Sequence, residues 1–254
     1  MDLKEILEHH IVDHIWSWVN LGPLQLPLSK HLLMMVIAAL IMIIFFPLIV
    51  RIKNSKLMPL KTALEAMFLF IREDIVIANL GQDGVKYLSY FATLFFFILI
   101  CNLLGMVPFG ASATGNIAVT GAMAFTTFAL INFAGIREQG FASYIKHIVP
   151  AGVPGWLFPL LFPIEIIGLL TKSFALCIRL FANMIAGHIV ILSFLGLIFM
   201  FGAINPLVGL GITAPVSVVM ILFISLLELF VSFLQAYIFT FLTAIFVGAA
   251  MHPH

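Results

Sequence analysis

Only four charged side chains occur between Ile148 and His254, and each lies inside an apolar run: Glu165, Lys172, Arg179 and Glu228. An ionised group in hydrocarbon is costly unless it is paired or wetted, so a chain that keeps such groups there points to an ion or proton path. Glu165, Lys172 and Arg179 are spaced seven and seven. That is about 20° of rotation per step on a helix of about 3.6 residues per turn, and it sets the three in one line. Asn183 extends the line by one turn. Ala175, Ala182 and Ala186 lie beside it, small residues of the kind that let another helix approach closely.

A second stripe runs through Ser225, Glu228, Ser232, Gln235 and Thr243, which fall within about 80° of arc on a helix. Folding the two segments together near Leu207 sets Arg179 level with Gln235 and His188 level with Glu228. His188 is nine residues from Arg179, however, and so points to the opposite side of an ideal helix. Sequence alone leaves that tension open. The chemistry available is proton handling. A guanidinium stays charged at any relevant pH and pairs with a carboxylate without carrying its proton away, whereas lysine would be a poorer barrier. A histidine titrates near neutral pH and, with a carboxyl partner such as Glu228, can relay protons.

The elements that must position these residues are helices in a membrane. Of 254 residues 63% are hydrophobic and 9% charged, against roughly 25% charged in a soluble domain. The expected fold class is an all-α polytopic membrane protein with about five crossings, ending in a long, strongly tilted two-helix hairpin. A net charge of +1 and the lack of a lysine-rich run set nucleic acid aside as a partner. Cys101 and Cys177 lie in apolar segments without CxxC spacing and read as packing residues. No nucleotide-binding GxxxxGK loop occurs, so any coupling to ATP belongs to another subunit.

Along the chain, residues 1–30 form an external amphipathic arm. Its His10 and His14 have a metal-binding helical spacing, but they read better as interfacial side chains beside the tryptophans. The first apolar run begins too deep for a secretory signal and is expected to be retained. Residues 31–150 hold three spans, near Leu32–Val50, Leu88–Val107 and Ile117–Ala134. The segment Leu57–Leu80 is too charged to cross and is placed at a surface. Residues 151–254 form the hairpin, with arms at Phe158–Met200 and Val216–Met251 joined by the turn-rich GAINPLVGLGITAP. Lysine and arginine gather between the first and second spans and after the third, while the loop Pro108–Asn116 has neither. This predicts an outside N-terminus and a cytoplasmic C-terminus.

The run FALCIRLFANMIAGH, with LQAYIFTFLT, HHIVDHIW and NLLGMVP, resembles subunit a of the F-type ATP synthase membrane sector over nearly the whole chain. The resemblance implies a non-catalytic, proton-translocating stator subunit without cofactors, set in a bacterial inner membrane. It works against a rotating c-subunit ring, with peripheral-stalk b subunits and the rest of the synthase as partners and lipid around it. By the same resemblance Arg179 is the essential arginine facing the ring, Gln235 its neighbour and Asn183 a polar residue one turn away. His188 and Glu228 are an acid/base pair that other members carry with the residue types exchanged. Two offset half-channels follow. His188 and Glu228 open outward, up to about 13 Å beyond Arg179, and Lys172 and Glu165 open inward, up to about 10 and 21 Å behind it.

The rival readings are plainer. Glu165 and Lys172 are alternatively an interfacial pair, and Asn183 and Gln235 interhelical hydrogen-bonding glue. The whole chain is alternatively a self-contained secondary ion-coupled transporter, although the internal repeat common in such proteins is missing. The ion, H⁺ or Na⁺, is open, with the proton as default.

Overall fold

A computed structural model describes residues 15–21, 24–51, 58–107, 110–147 and 157–251. The N-terminal histidine pair falls outside them. The described chain begins with a two-stranded antiparallel hairpin, β1 (Ile15–Leu21) and β2 (Leu24–Ser29). The regular elements described after it are all helical. Ser29 caps the first span, its hydroxyl accepting from the Leu32 amide at 3.2 Å, and α1 (Lys30–Arg51) follows. Such a cap satisfies one of the amides that a helix start leaves without an intrahelical partner.

The charged segment forms α2 (Met58–Phe70), continued by a π-helical turn at Ile71–Ile77 and a last turn at Ala78–Leu80. Gly81, at φ 68°, ends it, a left-handed conformation open to glycine at little cost. A 3₁₀ turn at Gln82–Tyr87 leads into α3 (Leu88–Gly105). Then come α4 (Ile117–Gln139), stopped by Gly140 at φ 80°, and the short α5 (Phe141–His147).

The C-terminal part is two very long helices, α6 (Phe158–Ile204) and α7 (Ala214–Met251). At 1.5 Å per residue, the 47 residues of α6 extend about 70 Å, more than twice a hydrocarbon core of about 30 Å. The turn-rich connection is shorter than its composition predicts. Only Asn205 is non-helical there; Pro206–Val208 and the π-helical Gly209–Thr213 lead straight into α7. The Asn205 side chain accepts from the Leu207 amide at 3.0 Å, and Pro206 takes the first helical position, where its missing N–H costs nothing. The residues that suggested a loop are those that start a helix. Gly209 sits where a Cβ would lie 2.3 Å from the Gly202 Cα, so a glycine pair permits the tight reversal.

Among the described residues five helices are long and apolar enough to cross a membrane, at Lys30–Arg51, Gln82–Met106, Ile117–Gln139, Pro159–Ile204 and Pro206–Met251. Apart from the β-hairpin, the described chain has the expected helical architecture, with five candidate crossings and a long terminal helical hairpin. It divides into two compact units. One holds Met1–Ile41, Ile98–Ile117 and Leu180–Gln235; the other holds Met42–Phe97, Ala118–Arg179 and Ala236–His254.

Candidate functional site

In the unit built on Leu180–Gln235, the polar stripe of α7 is its inward face. Glu228, Ser232 and Gln235 are all buried, and Ser225 is half-buried. Two of these residues meet partners on α6. Asn183 Nδ2 donates to Gln235 Oε1 at 3.1 Å, and His188 Nδ1 lies 3.0 Å from Glu228 Oε1. The pairs advance along one helix as they recede along the other, which is the antiparallel register expected for a hairpin. Gln235 therefore spends its side-chain carbonyl on Asn183.

His188 is gripped on both edges. Nε2 donates to the Gly105 carbonyl at 3.1 Å, and Nδ1 lies 3.0 Å from the Met184 carbonyl as well as from Glu228. The Glu228 side chain is only 6% exposed and that of His188 30%. Glu228 Oε1 is close to the ring but not aligned with its N–H, so the contact is an ion-pair approach that a small carboxyl rotation turns into a hydrogen bond. Two states then differ only in where one proton sits: an imidazolium facing a carboxylate, or a neutral ring accepting from a carboxylic acid. Gly187 makes the approach possible, since a Cβ there would lie 2.7 Å from Glu228 Oε1.

The pair opens onto a cavity of about 240 Å³ whose wall includes His31, Ser112, His188, Ser225 and Glu228. A cavity of that size with several polar partners has room for more than one water. Behind it the loop after α3 is tied to α7 by a buried network. Thr114 Oγ1 donates to Asn102 Oδ1 at 2.6 Å, Ser112 and Thr114 hydroxyls are 2.7 Å apart, and Asn102 Nδ2 donates to the Ser232 carbonyl at 3.3 Å. Hydrogen bonds of this kind hold the cavity wall in place without leaving buried polar atoms unpaired.

In the other unit α6 carries Glu165, Lys172 and Arg179. Arg179 and Lys172 are exposed and Glu165 half-buried. Lys172 Nζ sits over the Phe246 ring, 5.5 Å from its centroid, a cation–π contact. Among the described residues no ion pair joins it to Glu165. On α6 itself Ala175, Arg179, Ala182, Asn183 and Ala186 are all exposed, whereas Leu176, Leu180 and Met184 are buried. The guanidinium and its small neighbours thus lie on the open face of the helix, and His188 on its protein-facing side. This resolves the tension in the spacing: the two residues serve different faces.

Sequence reading missed His31, Ser112, the Gly105 carbonyl and Gly187. The first three come from distant elements and share no periodicity with the stripe. Gly187 was visible inside AGH, but nothing in the sequence showed that a carboxylate needs its space.

A family model described as the ATP synthase A chain matches residues 32–248. The chain is 46% identical to ATP synthase subunit a of Myxococcus xanthus, over 92% of this chain and 77% of that protein. It is 44% identical to the subunit a of Anaeromyxobacter dehalogenans, over 93% and 61% respectively. With that of Pelodictyon phaeoclathratiforme the identity is 41%, over 97% and 75%. A match across the spans and both hairpin arms, at this identity, places the chain in the ATP synthase A chain family.

Proposed function

We propose that this chain is the proton-translocating stator subunit of an F-type ATP synthase, and that His188 with Glu228 forms the outward half-channel. The carrying observation is the buried imidazole–carboxylate pair lining a polar cavity, in a membrane helix pair whose other face presents Arg179 among alanines. Family membership agrees with the stator role and does not favour a self-contained transporter. ATP chemistry belongs to other subunits.

Arg179 meets a carboxylate on the rotating c-subunit ring, stabilises its ionised form and blocks passage of protons between the half-channels. Asn183 and Gln235 hold the turn beside it, and Lys172 and Glu165 lie along the inward path. The peripheral-stalk b subunits and the rest of the synthase complete the assembly. The chain lies in a bacterial inner membrane, N-terminus outside and C-terminus cytoplasmic, as the lysine and arginine distribution supports. Impermeant thiol reagents should label cysteines at Asp2 and His254 from opposite faces; labelling from one face overturns the orientation.

The test of the mechanism is Arg179→Ala in the intact complex, reconstituted in vesicles. It should abolish gradient-driven ATP synthesis and open a passive proton leak, and Arg179→Lys should fail as well. Normal ATP-driven pumping by the Arg179→Ala complex would refute the reading.

A further inference from the structure

His188 is a poor first acceptor for a proton arriving from outside. Its Nε2 is committed to the Gly105 carbonyl, and its Nδ1 faces the Met184 carbonyl and Glu228. Neither ring nitrogen is left over for the cavity. Among the described residues lining the cavity, three have ionisable side chains: His188, Glu228 and His31. The Gly105–Gly115 part of the wall contributes hydroxyl and backbone groups but no charge. His31 is buried at 7% exposure and is the second residue of α1. Its place is fixed by the Ser29 cap two residues before it, so it enters the cavity from the end of the first span.

We infer that His31 is a proton-carrying residue of the outward half-channel, the station that takes protons from the external side and passes them through the cavity to Glu228. This rests on the half-channel reading above and adds a third titratable member to it. A histidine exchanges protons readily at the pH of the surrounding medium. A cavity with room for water, and with Ser112 and Ser225 on its wall, can supply hydrogen bonds between the two ends. Among the described residues lining the cavity with it, the ionisable groups are His188 on α6 and Glu228 on α7, and Lys30 is next to it in sequence.

The experiment uses the intact synthase in vesicles, with gradient-driven ATP synthesis followed as the external pH is varied. Subunit content is measured on each purified variant. His31→Gln keeps a polar side chain but cannot titrate, and should slow synthesis roughly 3- to 10-fold, less than the loss expected for a positioned acid or base at a reacting centre. The loss should be greatest near neutral external pH and least in acid, where protons are plentiful enough to reach Glu228 by water alone. His31→Glu, which titrates, should recover part of the rate with its pH profile shifted toward acid. The inference fails if His31→Gln matches the wild type at every pH. It also fails if the Gln and Glu variants are slowed equally in fully assembled complexes, since His31 would then only position the wall. Glu228→Gln, measured alongside, separates the two levels. If it too is without effect, the half-channel reading itself falls; if it alone slows synthesis, only the role of His31 is lost.

Discussion

Adding one methyl group at Gly187 should disable the His188–Glu228 pair while leaving both residues in place. A Cβ at that position would lie 2.7 Å from Glu228 Oε1, 2.9 Å from Cδ and 3.4 Å from Cγ. All three atoms belong to a side chain that is 6% exposed, so the carboxyl has to swing out of line with the ring. Hydrogen bonds to charged groups contribute about 1.5–3 kcal/mol. Preventing the one that a small carboxyl rotation would form with the ring alters the equilibrium between paired and unpaired arrangements by roughly 10- to 150-fold. In the opposite sense, alanine in place of glycine favours the helix itself by about 1 kcal/mol. The two effects separate by assay: Gly187→Ala should leave thermal stability and subunit content near the wild type, yet cut proton transport at least tenfold by this reasoning. Shortening the acid in the double variant Gly187→Ala/Glu228→Asp draws the carboxyl back from the new methyl and should recover some transport. Wild-type transport by Gly187→Ala in an assembled complex would refute the claim that this contact matters.

Two further outcomes follow from the contacts. Asn183→Leu should strand the buried Gln235 side chain and destabilise the hairpin by about 1–3 kcal/mol, while Asn183→Leu with Gln235→Leu should recover most of it; a double-mutant cycle on thermal unfolding reads the coupling, and simple additivity would sink it. Gly248→Ala would put a Cβ 2.4 Å from the Asn79 backbone carbonyl; overpacking against backbone costs about 1–3 kcal/mol, so the unfolding midpoint should fall, and an unchanged midpoint would show that the helices yield freely.

Periodicity made the helical frame legible. Spacings of seven on α6 and the stripe through Glu228 and Gln235 on α7 each mark one face of a helix, and both faces are where the chain places its polar groups. Half of the hairpin register was legible too: His188 meets Glu228 as expected, whereas Gln235, expected level with Arg179, is bonded by Asn183 one turn on. Composition marked the hairpin connection at Gly202–Pro215, but glycine and proline made it look longer than it is. There they serve as a helix start after Asn205 and as a close helix approach at Gly209. The wall of the cavity was out of reach, since His31 and Ser112 join it from segments far away in sequence, and only tertiary contact reveals that they share a surface with Glu228.

The open face of α6 has a consequence for how such a chain is made. A newly inserted copy would hold the Arg179 guanidinium toward lipid, with Ala175, Ala182 and Ala186 offering it neither cover nor counter-charge. A lone arginine at membrane depth is expensive, whether it draws in water, thins the bilayer or drags the helix toward the headgroups. A neighbour that supplies a carboxylate and a close-fitting helix surface removes that expense, and by mass action stabilises the inserted form over any alternative. The residue proposed to govern proton traffic would then also act during biogenesis, leaving orphan copies as the least stable species in the membrane.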